Sequence, residues 1–192
     1  MEQRKTKLYI IPGLGESTRA KNYREIIKLA RKTGFEVNPV NILWEKNMDM
    51  TDFVVQADKK IPNDSSDDYI LGFSFGAYIV SILSKKKKIK GIIFCSISPY
   101  FKEDLKDIPL ESKEYFGKKM MDSFKRYTFP KKIKSTAWFL IGEKDWPLTI
   151  SRAQKSFKLW GGIKSMEVIK GAGHSLDDKK YFNAIKKIIK KL

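Results

Sequence analysis

The chain alternates between short, almost unbroken apolar runs and longer stretches in which apolar residues return every three or four positions. The first kind fits strands covered on both faces, the second helices with one buried side. Lys7-Leu8-Tyr9-Ile10-Ile11 opens the series as a buried strand running into Pro12-Gly13-Leu14-Gly15-Glu16. A helix is predicted over 18–32, with Ser17 as its N-cap, Tyr23, Ile26, Ile27 and Ala30 as its apolar stripe and Gly34 as its stop. A second strand is expected within 35–43, carrying Val37, Val40, Ile42 and Leu43, and a loop over 44–50. Thr51 caps the next expected helix, which carries Phe53, Val54, Ala57 and Ile61 and closes at Pro62. Residues 63–67 read as a turn-rich linker.

A third run, Asp68-Tyr69-Ile70-Leu71, passes through Gly72-Phe73-Ser74-Phe75-Gly76 straight into helical spacing. That helix ends at Lys85-Lys86-Lys87-Lys88, whose charges suit the negative end of a helix dipole. Further strands are expected in Gly91-Ile92-Ile93-Phe94-Cys95-Ser96-Ile97, in Ala137-Trp138-Phe139-Leu140-Ile141 and in Met166-Glu167-Val168-Ile169. Helices are expected near 149–160 and over 177–192, the last with Tyr181, Ile185, Ile188 and Leu192 on one face. Such alternation predicts an α/β protein, a three-layer α/β/α sandwich around about six mostly parallel strands. Reactive groups then gather beyond the carboxyl ends of the strands. Only 98–134 breaks the rhythm, and it reads as a small cap-like insertion. Its aromatics (Tyr100, Phe101, Tyr115, Phe116, Phe124, Tyr127, Phe129) fit either an apolar wall for substrate or the packing of the insertion onto the body.

Composition narrows the picture. With 192 residues, 42% hydrophobic and 32% charged, the expectation is one domain over 1–192. No run is long enough to cross a bilayer, and the apolar stretch before Pro12 is too short for a secretory signal. Cys95 is the only cysteine, so no intrachain disulfide forms, and the expected address is cytoplasmic. One cysteine and one histidine leave no zinc site of the usual kind, and no phosphate-cradling glycine loop suggests a cofactor. The net charge of +17 is spread along the whole chain, which fits a solvated basic surface better than a specific nucleic-acid site.

Chemistry concentrates at three strand ends. Gly-x-Ser-x-Gly between a strand and a helix needs small residues two positions either side of the serine, because strand and helix backbones approach there. Ser74 at that apex heads a helix whose free N–H groups favour developing negative charge. Asp145 follows Ile141-Gly142-Glu143-Lys144, and His174, the lone histidine, follows Lys170-Gly171-Ala172-Gly173.

In this order Ser74, Asp145 and His174 resemble the α/β hydrolases, and the likeness spans nearly the whole chain. Gly72-Phe73-Ser74-Phe75-Gly76 resembles the family's nucleophile elbow, Gly142-Glu143-Lys144-Asp145 its acid turn and Gly171-Ala172-Gly173-His174 its histidine turn. Pro12 stands where many members have a histidine before the oxyanion residue, here Leu14. The chain opens on the strand leading into that loop, so the expected fold is a reduced one with the elbow strand central. The resemblance implies a serine hydrolase cleaving small carboxylic esters or thioesters through an acyl-enzyme. Ser74 is then nucleophile, His174 base, Asp145 its orienting acid, and the Phe75 and Leu14 amides form the oxyanion hole. It implies no cofactor and no metal. The alternative from another class is a non-catalytic protein of the same fold that uses its pocket or basic surface for recognition.

Overall fold

The computed structural model describes residues 4–46, 48–106, 108–131 and 133–192. Residues 1–3 of the charged N-terminal stretch, Asn47 of the expected loop, and Asp107 and Lys132 of the expected insertion lie outside them. Six strands form one sheet: β1 (Lys7–Ile11), β2 (Glu36–Pro39), β3 (Asp64–Phe73), β4 (Lys88–Cys95), β5 (Thr136–Gly142) and β6 (Lys164–Ile169). All neighbours pair in parallel, in the order β2-β1-β3-β4-β5-β6. The chain moves outward from β1 to β2 and then returns to the other side of β1. This leaves a crevice at the carboxyl ends of β1 and β3, where ligands of open α/β sheets bind.

Strand periodicity divides the core. Leu8, Ile10, Leu71, Phe73, Ile93 and Cys95 face one layer, built from α1 (Lys21–Lys32) and α6 (Lys179–Ile189). Tyr9, Ile11, Ile70, Ile92 and Phe94 face the other, built from α2 (Met50–Asp58), α3 (Phe75–Leu83) and α5 (Pro147–Leu159). Successive side chains leave a strand on opposite faces, so runs apolar at every position must be covered twice. The result is a three-layer α/β/α fold.

The departures from expectation lie mostly at element ends. Ser17 does not cap α1, which begins four residues later; its hydroxyl accepts from the Arg19 N–H (3.2 Å) and meets Asn41 Oδ1 (3.3 Å). Asp49 rather than Thr51 caps α2, accepting the Thr51 N–H at 2.8 Å. The expected linker at 63–67 is largely strand, because β3 extends back to pair Asp64 and Ser65 with β4. The second strand stops at Pro39, and Leu43 is exposed. Lys87 is no solvated dipole partner. Its buried ammonium donates to the carbonyls of Asp58 (3.0 Å) and Ile61 and pairs with the Asp58 carboxylate at 2.8 Å. It thereby closes the end of α2 against the start of β4.

The segment 98–134 holds a 3-10 turn (Lys102–Leu105) and α4 (Leu110–Arg126), broken at Gly117 with φ 70°. Tyr100, Phe101, Met120, Phe124 and Phe129 are buried in the α2/α3/α5 layer. Tyr100 stacks on Phe124 with centroids 4.1 Å apart, and the Tyr78 hydroxyl donates to the Tyr127 carbonyl. Most of the insertion's aromatics therefore serve packing. Phe116 is half-buried against Phe75 (5.7 Å), beside the elbow. No helix among the described residues is long and apolar enough to cross a membrane.

Candidate active site

Ser74 follows β3 directly and is held at φ 51°, ψ −115°, a conformation that L-residues avoid. Its N–H donates to the Cys95 carbonyl at 2.8 Å, tying the apex to the neighbouring strand end. Two glycines make the approach possible. A Cβ on Gly72 would lie 2.7 Å from the Ala77 backbone, and one on Gly76 would lie 2.3 Å from the Ile11 carbonyl oxygen. No other residue fits either position without moving strand, helix or loop.

From that apex a hydrogen-bonded series runs across the sheet edge. Ser74 Oγ lies 3.0 Å from His174 Nε2, and His174 Nδ1 lies 2.8 Å from Asp145 Oδ1. The three side chains come from beyond β3, β6 and β5, separated by up to 100 residues of chain. The Asp145 side chain has no solvent exposure, while that of His174 keeps 12%. Thus the carboxylate is fully engaged by protein and the imidazole still reaches the surface.

The Asp145 carboxylate has two further donors. Oδ1 accepts the Trp146 N–H at 2.7 Å, and Oδ2 accepts the Ser96 hydroxyl at 2.6 Å. Ser96 is buried at the end of β4 with φ 47°. Behind it the Tyr181 hydroxyl donates to the Leu140 carbonyl at 2.8 Å and lies 2.9 Å from Ser96 Oγ. Burial drives the Tyr181 phenol well above its ordinary pKa, so it stays a neutral donor. The Trp146 indole stacks on the His174 ring, centroids 4.2 Å apart and planes within 17°, though Trp146 is 63% exposed. An aromatic face there attracts an imidazolium and shields it from water.

Leu14 lies in the loop beyond β1, and Phe75 is the first residue of α3. Neither amide N–H donates to any group among the described residues, and that of Phe75 directly follows Ser74. Gly76 packs against Ile11 and Pro12, which joins the two loops. Next to Leu14, a cleft of about 320 Å³ is lined by Gly15, Ile42, Leu43, Trp44, Glu45 and Lys46. A second cavity, about 440 Å³, lies between the 3-10 turn and α4 and is lined by Leu105, Met121 and three lysines among others. Cys95 is buried, and burial raises its thiol pKa, so it holds no reactive thiolate. Among the described residues no group of three or more His, Cys, Asp or Glu side chains gathers to hold a metal ion.

Of the five residues the sequence nominates, Ser74, His174 and Asp145 are joined by hydrogen bonds, Phe75 directly follows Ser74, and Leu14 lies in the loop beyond β1. Three residues in contact with this group or its loops carry little signal in the sequence. In the sequence Ser96 is only a serine near the end of an apolar run. Trp146 gave one signal, an aromatic next to the candidate acid. Glu16, in the loop beyond β1, accepts the Gly13 N–H at 3.1 Å and the Tyr23 hydroxyl on its carboxylate.

The sheet order and the strand-end rim define a doubly covered α/β protein with its site at the switch of strand order. No family model matches this chain, and no curated protein matches it in sequence. Solved structures do match in three dimensions. Est1E from Butyrivibrio proteoclasticus superposes with a TM-score of 0.75 over 98% of this chain and 88% of its own, at 14% identity. Alpha/beta hydrolase domain-containing protein 10 from mouse gives 0.76 over 98% and 90%, at 12% identity. The monoacylglycerol lipase of Paleococcus ferrophilus gives 0.70 over 97% and 95%, at 15% identity. The chain has the α/β-hydrolase fold, in a reduced six-stranded form.

Proposed function

We propose that this protein is a serine hydrolase that cleaves carboxylic esters or thioesters of modest size through an acyl-enzyme. The observation that carries the reading is the series Ser74 Oγ, His174 Nε2, His174 Nδ1, Asp145 Oδ1 at 3.0 Å and 2.8 Å. It supplies a nucleophile, a base within reach of its proton, and a buried acid that fixes the tautomer.

Ser74 Oγ attacks the carbonyl carbon as His174 Nε2 takes its proton. The oxygen gains negative charge and is bound by the Phe75 N–H at the head of α3 and the Leu14 N–H from the loop beyond β1. Collapse of the tetrahedral intermediate breaks the bond to the alcohol or thiol, which receives the proton from His174. Water then attacks the acyl-Ser74 carbonyl, with His174 again as base, and the carboxylic acid leaves. Asp145 stabilises each transient imidazolium, and the Trp146 face adds to that. The structural neighbours, a monoacylglycerol lipase and a dienelactone hydrolase among them, accord with this reaction class.

The test is a panel of p-nitrophenyl esters and acyl thioesters of graded chain length. Native protein is expected to turn over at least one of them, with that turnover lost in Ser74→Ala and in His174→Ala. Folded protein inert towards the whole panel, or hydrolysis that persists in Ser74→Ala, would refute the proposal.

A further inference from the structure

Pro12 brings neither an imidazole nor an amide proton to the loop beyond β1. What fixes that loop lies four residues on. Gly13-Leu14-Gly15-Glu16 is a tight turn closed by the Glu16 N–H donating to the Gly13 carbonyl at 3.0 Å. Gly15 has φ 74° at the third position, as a type II turn requires. The Glu16 side chain then folds back over its own turn. Oε2 accepts the Gly13 N–H at 3.1 Å and the Tyr23 hydroxyl, and the Gly13 N–H also faces Tyr23 Oη at 3.1 Å. The Trp44 indole N–H donates to the Glu16 carbonyl at 3.0 Å. Thus the N–H, the carbonyl and the carboxylate of one residue are all engaged in holding the turn.

The anchors are rigid. Tyr23 is fully buried on α1, and Trp44 is 6% exposed. Burial first, then the adjacent Glu16 carboxylate, push the Tyr23 phenol far above its ordinary pKa, so it remains a donor. Gly13 leaves room for the carboxylate: a Cβ there would sit 2.8 Å from Glu16 Oε2 and 3.0 Å from Phe73 Cδ1, so the Glu16 side chain would have to shift. With the Gly13 N–H consumed inside the brace and the Glu16 N–H closing the turn, the Leu14 and Gly15 N–H groups are the turn's amides without an acceptor among the described residues.

We propose that Glu16 is a positioning residue: its carboxylate braces the turn so that the Leu14 N–H is held ready for the oxyanion. The inference rests on the hydrolase reading above and names a determinant of rate that neither the triad nor the elbow contains. It acts through Leu14, so its loss misaims one oxyanion donor rather than deleting it. That falls short of the ~10²–10³ in rate lost when a donor is removed.

The experiment compares native protein, Glu16→Ala, Glu16→Gln and Tyr23→Phe in steady-state hydrolysis of a p-nitrophenyl ester, with thermal melts alongside. Glu16→Ala is expected to lower kcat about tenfold to a hundredfold while KM stays within about threefold, because ground-state binding is untouched. Glu16→Gln keeps an acceptor for the Gly13 N–H and is expected within about threefold of native kcat. A Glu16→Ala kcat equal to native, or equal losses in the Ala and Gln variants, would overturn the brace. If Glu16→Ala does not fold, Tyr23→Phe decides. It removes one donor to the carboxylate, and an unchanged kcat would count against the proposal where a drop of about threefold to tenfold supports it. Native protein that turns over no ester removes the hydrolase reading itself; active native protein with an indifferent Glu16→Ala removes only this inference.

Discussion

Ser74 and Ser96 are the two non-glycine residues with positive φ among those described, at 51° and 47°. They stand at the two ends of one series, Ser74–His174–Asp145–Ser96. Each such conformation costs on the order of 1–3 kcal/mol and persists only where surrounding bonds enforce it. At Ser74 the strain raises the hydroxyl above the sheet edge. At Ser96 it turns a hydroxyl onto the second oxygen of the acid. Ser74→Ala is expected to abolish turnover, on the order of 10⁶ in kcat, while leaving the melt near native. Ser96→Ala should lower kcat about tenfold and stability by about 1.5–3 kcal/mol, since a buried carboxylate loses a donor. Urea denaturation with parallel kinetics measures both; unchanged values would remove Ser96 from the site. The triad was legible because each member follows an apolar run and a glycine turn. Ser96 was not, because its partner lies 49 residues away and only the pairing of β4 with β5 brings them together.

Among the elements, the elbow depends on contacts that admit no side chain. Gly76→Ala would thrust a Cβ to 2.3 Å from the Ile11 carbonyl oxygen and 2.4 Å from that of Pro12. We expect a loss of about 1–3 kcal/mol in a thermal melt and, since the displaced backbone leads into Leu14, reduced kcat as well. The spacing of Gly72 and Gly76 around the serine announced this close approach directly. The four-lysine run announced nothing comparable. Its members are equivalent in sequence, and only the register of β4 selects Lys87 for burial at the end of α2. Lys87→Ala is expected to cost about 2 kcal/mol. This lies below the ~3–5 kcal/mol for breaking a wholly buried pair, because the Asp58 side chain stays 39% exposed to water. Caps were misjudged for a related reason. Ser17, Asp49 and Thr51 all have capping chemistry, and where the backbone turns decides which one is used.

For the whole molecule, strict alternation of strand and helix made the parallel sheet and its two covered faces readable. The resemblance, not the rhythm, implies a central elbow strand, and β3 stands third in the order of six. The insertion was less legible, since aromatics mixed with charges look alike whether they line a pocket or seal an interface; burial of Tyr100, Phe124 and Phe129 decides for the interface. The charge of +17 surrounds a site with no metal cluster among the described residues and gives the surface a positive field. Such a field concentrates anions and is screened within roughly 8–10 Å at physiological salt. An anionic acyl thioester should therefore lose kcat/KM as salt rises, whereas a neutral p-nitrophenyl ester should not. Equal salt dependence of the two would assign the lysines no part in substrate capture.

The joining of Ser74, His174 and Asp145 into one working unit is tested most directly by a fluorophosphonate, whose phosphorus accepts an activated serine oxygen as fluoride leaves. Peptide mass mapping of the native chain should find a single adduct, on the peptide carrying Ser74, absent from Ser74→Ala and formed far more slowly in His174→Ala. A folded native chain that remains unmodified, or an adduct that survives in Ser74→Ala, would contradict the account.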